Sequence, residues 1–103
     1  MPIYAAINQL KTSIPATQAS AQAFLSTLPR EIQQQLICAI YIGREHIYLD
    51  RLRTDMAISR IQTDHIDEND YARIIHEKAD NITTYLDSLV RCANTSGFDL
   101  NRL

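Results

Sequence analysis

The chain has no tryptophan, two glycines, three prolines and two cysteines among its 103 residues. Each scarcity excludes something. Loops that cradle phosphate or a dinucleotide need several glycines at fixed short spacing, and Gly43 and Gly97 stand far apart, so neither site is written here. Cys38 and Cys92 form no Cys-x-x-Cys, have no histidine at ligand spacing, and each lies within an apolar pattern. Two buried, reduced thiols are therefore expected in preference to a disulfide. No stretch approaches the roughly 18 consecutive apolar residues of a membrane span, and the N-terminus has no basic region followed by a long apolar run. A cytoplasmic protein that does not engage the membrane is the expectation. Ten basic against twelve acidic residues leave a net charge of −2, which lacks the footprint that bulk attraction to nucleic acid or acidic lipid requires. Lysine is scarce too: Lys11 and Lys78 aside, every cation is arginine. Arginine favours planar bidentate contacts and interfaces, although codon composition explains the same bias.

What is present is aliphatic. Apolar residues make up 46% of the chain and aromatic ones 7%, so a single domain with an Ile/Leu core is expected. Ile3, Tyr4, Ile7 and Leu10 recur at helical spacing, and so short a helix must dock on something. Thr12 to Ala23 is mostly Ala, Ser, Thr and Gln, with Pro15 placed for a first turn and Phe24-Leu25 as its apolar content. That stretch is either a weakly anchored helix or an arm; residues 1–26 read as an amphipathic helix followed by this Ala/Ser/Thr-rich segment, an arm, and residues 27–103 as a helical core. A further helix begins near Leu28, after which Leu36 to Ile42 is apolar all round, as in an element covered on every side. A buried strand would look similar, but no second convincing strand exists to pair with it.

Gly43 admits two readings. It stops the helix in the left-handed conformation, with Arg44-Glu45 opening the next, or it sits inside a continuous helix and lets a neighbour approach. The apolar stripe loses phase after Ile47 and restarts on Leu49, Leu52 and Met56, which favours a break followed by a helix from Glu45 to Ile61. Asp67 is a good N-cap, with Glu68 and Asp70 at the positive end of the next helix and Ile66 and Tyr71 spaced as a hydrophobic staple. The last helix keeps Tyr71, Ile74, Ile75, Ala79, Ile82, Tyr85, Leu86, Leu89, Val90 and Ala93 on one face, roughly 33 Å from Tyr71 to Ala93, and Gly97 ends it with Phe98 placed to pack back. The fold class predicted is all-α, a small bundle of four or five helices with one long C-terminal amphipathic helix.

Chemistry is hard to find. His46 with Asp50, and His76 with Asp80, have the i, i+4 spacing of metal ligands, but the second pair falls on a charged, solvated face and there is no Glu-x-x-His. Asp64, His65, Asp67, Glu68 and Asp70 lack the glycine and terminal glutamate of a calcium loop, and helix capping accounts for the acids. Cys38 lies in an apolar run with no activating neighbour, and no catalytic, cofactor-binding or metal-binding residue is assigned. Arg44, Arg51, Arg53 and Arg60 could form a nucleic-acid-facing helix, yet Glu45, Asp50 and Asp55 nearly cancel them.

The segment "LPREIQQQLICAIYIGREHI", together with "TTYLDSLV" and "SGFDL", resembles an uncharacterised bacterial family, domain of unknown function 3775, over Leu28 to Leu100. Where this chain has Glu45-His46, members of that family tend to have a small residue and an acid. The resemblance implies a small helical protein and gives no role to Gly43 or Arg44. The reading reached is a non-enzymatic interaction module, a homodimer or a small adaptor or inhibitor. Tyr4 and Ile7 of the first helix, Tyr85 and Leu89 of the last, and Arg44 and Arg51 between them are the candidate contact residues. The alternative is a nucleic-acid-binding helical regulator using Arg44, Arg51 and Arg53.

Overall fold

The computed structural model describes residues 2–103. Among them the first helix, α1 (Pro2–Thr12), opens on a proline suited to a first turn and buries Ile3, Ala6, Ile7 and Leu10, one face at helical spacing. The Ala/Ser/Thr-rich stretch that follows yields a second helix, α2 (Gln18–Leu25). Its start is fixed by a reciprocal cap: the Thr17 hydroxyl accepts the Ser20 N–H at 3.0 Å, and the Ser20 hydroxyl accepts the Thr17 N–H at 3.0 Å. Serine here does what glutamate or glutamine does in the usual capping box. Ala21 and Leu25 anchor the helix in the core.

The apolar run forms the middle of α3 (Arg30–Arg44), where Leu36 to Ile40 and Ile42 are buried and no strand forms among the described residues. The helix passes through Gly43 and ends one residue later. Gly43 is not left-handed; only Gly97 has a positive φ among the described residues. What Gly43 provides is proximity, because a Cβ there would overlap the carbonyl group of Tyr85 on the last helix. Of the two readings of this glycine, close approach is the one observed.

Asp67 begins the second half as expected, its carboxylate accepting the Asn69 N–H at 2.8 Å to cap a 3-10 turn, Glu68–Asp70, that runs into α4 (Tyr71–Lys78). A single 3-10 turn, Ala79–Asn81, joins α4 to α5 (Ile82–Ser96), so the long helix is jointed rather than straight. Gly97 ends it at φ +67°, with Phe98 N–H on Ala93 O at 2.9 Å and Gly97 N–H on Asn94 O at 3.3 Å, the paired bonds of a Schellman motif. The chain then folds back through a 3-10 turn at Leu100–Arg102. Tyr4 Oη accepts the Leu100 N–H at 2.9 Å, and the Gln35 amide donates to the carbonyls of Asn101 and Leu103 at 3.2 and 2.9 Å.

Within dimensions of 35 × 24 × 23 Å, α3 packs along α5, α1 lies across both, and α2 packs on α4. One hydrophobic cluster runs from Ile3 to Leu103 and takes in Ile7 and Leu10 of α1 and Leu25 of α2. The N-terminal residues are therefore structural members of the same core as residues 27–103, and of the two readings of the Ala/Ser/Thr-rich segment the helix anchored by few apolar residues, not the arm, is the one observed.

The expected helix from Glu45 to Ile61 is absent. Turns and bends occupy residues 45–59, followed by a 3-10 turn at Arg60–Gln62. Ile47, Tyr48 and Leu49 in succession cannot share a face, Thr54 and Asp55 are poor helix formers, and the backbone groups a helix would satisfy find partners elsewhere.

Candidate functional site

Those partners come mostly from α5. Arg91 lays its guanidinium against the loop and donates to Leu49 O at 2.9 and 3.2 Å, Ile47 O at 3.1 Å and His46 O at 3.4 Å. Its fixed fork of donors suits it to gathering several carbonyls at once. The Cys92 thiol also reaches Leu49 O at 3.1 Å, and the Ser96 hydroxyl accepts the Leu52 N–H at 2.9 Å. One face of a single helix thus holds the segment from 46 to 52 against the domain.

His46 closes the same loop from inside. It is 0% exposed; its Nδ1 lies 2.7 Å from Ile42 O and its Nε2 accepts the Arg53 N–H at 3.0 Å. That network assigns the hydrogen to Nδ1 and leaves the Nε2 lone pair to the backbone. Both nitrogens are occupied with main chain, so His46 offers nothing to a metal, and Asp50 lies exposed with its carboxylate toward Arg91 instead. Among the described residues no group of three His, Cys, Asp or Glu could hold a metal ion.

What this scaffold displays is Tyr48, 96% exposed, beside the partly exposed Leu49. Arg44, Glu45, Ile47 and Arg53 join them around an open cleft of about 350 Å³. The charges of the loop are unevenly matched. Arg53 chelates Asp55 at 2.7 and 2.8 Å and reaches Glu45 at 3.6 Å, which holds the Asp55 carboxyl below its ordinary range. Elsewhere Lys11, Arg30, Arg60, Arg73 and Arg91 meet carboxylates, and Lys78 and Arg102 lie over the Tyr41 and Phe98 rings. Arg44 and Arg51 alone, among the described lysines and arginines, have no such partner. Both flank Tyr48.

The other candidate residues fall differently. Ile7 and Leu89 are fully buried in the core of one chain, so the face they lie on is covered by the domain itself and is not open to a partner. Tyr4 is half-buried and spends its hydroxyl on Leu100 N–H and Asp99. Tyr85 is also half-buried against the core, with its backbone under Gly43. Only Arg44 and Arg51 of the six are free at the surface. Tyr48 was not singled out by periodicity, although three consecutive large apolar residues in a segment assigned to a one-sided helix are a signal that one must face water.

No thiol here is activated: burial pushes Cys38 up to about 11 and raises Cys92 as well. A larger groove, about 690 Å³, runs between the end of α1 and α2, but Thr12, Ser20 and Thr27 in its wall already bond within their own helical turns. It gathers no titratable group. No helix among the described residues is long and apolar enough to cross a membrane. Comparison of the chain with protein-family models, with curated proteins and with solved structures finds no match in any of the three.

Proposed function

We propose that this chain is a non-enzymatic interaction module that meets another protein through the loop from Arg44 to Arg51. The observation that carries the reading is Tyr48, a large aromatic side chain almost wholly in water on a loop that Arg91, Cys92, Ser96 and His46 hold in place. Tyrosine and arginine supply a disproportionate share of binding energy at protein interfaces, and a pre-ordered loop loses little entropy on docking. A second copy docking along the α4–α5 stripe fits less well, since Ile82, Leu86 and Leu89 are used inside the domain. The two unpaired thiols are compatible with a reducing compartment, and a cytoplasmic location is part of the same proposal.

A photo-crosslinking residue placed at Tyr48 in the native host tests this. A discrete adduct is expected, and the same residue at Ile61, 74% exposed but outside the loop, should not give it. No adduct from position 48, or the same products from both positions, would overturn the reading.

A second reading has one feature in its favour. An exposed aromatic ring on a loop that also carries two unpaired arginines is the composition of a stacking site for single-stranded nucleic acid. It predicts retention of mixed single-stranded oligonucleotides at low salt that weakens on Tyr48→Ala; two unpaired cations in a chain of net charge −2 make this the weaker of the two.

A further inference from the structure

We infer that the partner segment recognised by this loop is acidic, a stretch of chain that sets carboxylates on Arg44 and Arg51 and an apolar side chain against Tyr48 and Leu49. The inference rests on the interaction-module reading and adds the chemistry of the occupant.

Charge complementarity is the ground for it. The carboxylates of the loop are already engaged: Glu45 and Asp55 by Arg53, and Asp50 by Arg91 at 3.8 Å. The positive side is not, because Arg44 and Arg51 meet no carboxylate or ring of this chain among the described residues. With Arg91 included, four guanidinium groups stand against three carboxylates, so the loop and its support carry one net positive charge, and Arg44 and Arg51 are the two guanidinium groups without a carboxylate partner. A guanidinium presents a planar fork that a carboxylate fills with two parallel hydrogen bonds, and a basic or neutral segment would leave both forks in water.

The apolar component is equally specific in kind. The cleft of about 350 Å³ beside Tyr48 and Leu49 has room for a side chain or two and not for an extended fold. A buried aliphatic or aromatic anchor fills the cleft, an acid next to it meets Arg44 in the cleft wall, and a further acid along the segment reaches Arg51 beyond it. Arg53, held on both sides by Asp55 and Glu45, forms a fixed wall of that cleft and does not compete for the partner's carboxylates.

The test uses the intact chain against a displayed library of random linear peptides. Enriched sequences are expected to carry Asp or Glu around a large apolar residue. A synthetic consensus peptide should bind about tenfold or more weakly to Arg44→Glu or Arg51→Glu, and a peptide with Lys in place of its acids should bind those variants better than it binds the natural chain. Neither arginine side chain nor Tyr48 bonds to the rest of the fold, so every variant should stay folded, with an unchanged melting temperature for Arg51→Glu and only a small fall for Arg44→Glu, whose carboxylate stands at the C-terminal end of α3. Enriched peptides that need Tyr48 but are neutral or basic, or are indifferent to both charge reversals, would overturn the acidic partner and leave the interaction module standing. Failure to enrich any peptide that Tyr48→Ala abolishes would overturn both. Tyr48-dependent binding of single-stranded oligonucleotides in place of peptides would do the same and favour the nucleic-acid reading.

Discussion

Gly43 on α3 lies directly beneath the backbone carbonyl of Tyr85 on α5, and a Cβ at position 43 would stand only 2.7 Å from the Tyr85 carbonyl carbon. The two central helices touch backbone to backbone at this point. Since the obstruction is main chain, no rotamer change relieves it.

Replacing Gly43 with alanine is therefore expected to destabilise the domain. Alanine gains about 1 kcal/mol over glycine inside a helix, but parting α3 from α5 disturbs packing around Ile40, Ile42, Leu86 and Leu89 and should cost about 2 to 4 kcal/mol net. Urea unfolding measures it. A variant as stable as the natural chain would show that the helices separate freely here, contrary to the contact described.

Much of this fold was legible because its signals are local. The α1 face, the Asp67 cap and the Gly97 stop each depend on residues within a turn or two, so spacing reports them. The 45–59 segment is different. Its backbone is satisfied by Arg91, Cys92 and Ser96, more than 40 positions later in the chain, and no periodic pattern near Glu45 records that. The same limit applies to the candidate contacts: the length of the α4–α5 stripe is visible in the sequence, but whether α1 and α3 or a second chain covers Leu89 is not. Arg44 and Arg51 could be named from sequence as exposed charges. That they are the two left unpaired becomes visible only when every other cation has found its partner.

Leu89 separates the two possibilities directly. It is 0% exposed, and Leu89→Asp would bury a carboxylate without a partner while removing a large apolar side chain, so global unfolding is expected. A docking residue would behave otherwise, leaving a folded chain that no longer associates. Circular dichroism with light scattering tells the outcomes apart, and a folded monomeric variant would contradict the burial seen here.

Cys38 should give the domain an alkaline limb. Its thiol is raised by burial to about 11 from an ordinary value of 9.0, so the folded state holds this proton more tightly than the unfolded chain. The stability that follows is present in full below pH 9 and is lost as pH rises from about 9 through 11, amounting to about 2 to 3 kcal/mol. Tyr71 is raised by burial as well and adds to the same limb, so the contribution of Cys38 is the difference from Cys38→Ala. The variant should show a flatter decline in stability between pH 9 and 11. Parallel profiles would mean that the thiol is solvated.

His46→Ala removes the imidazole that bridges Ile42 O and Arg53 N–H, leaves both groups without that partner and opens a cavity beneath the loop. A loss of about 2 to 4 kcal/mol is expected. Hydrogen exchange gives the sharper readout: the Arg53 amide should lose more protection than amides in the middle of α3. Uniform loss across the chain would indicate that His46 supports the core in general and not the loop in particular.

Arg91 tests whether display of Tyr48 depends on the hydrogen bonds behind it. The guanidinium serves three carbonyls from one planar group, and the lysine ammonium of Arg91→Lys, with three donors at a single point on a flexible stem, cannot span the same set. Arg91→Lys is therefore expected to resemble Arg91→Ala more than the natural chain, each losing about 1.5 to 3 kcal/mol or less of stability and each raising exchange at Ile47 to Leu52. Neither change touches the exposed surface of Tyr48, Arg44 or Arg51, but Arg91→Ala also leaves Asp50 without its cation, so the fall in partner affinity that reports loop order is the one seen in Arg91→Lys, which keeps the charge. If both variants loosened the loop and left affinity unchanged, Tyr48 would be acting as an independent side chain, and the arrangement of Arg91, Cys92 and Ser96 would serve stability alone.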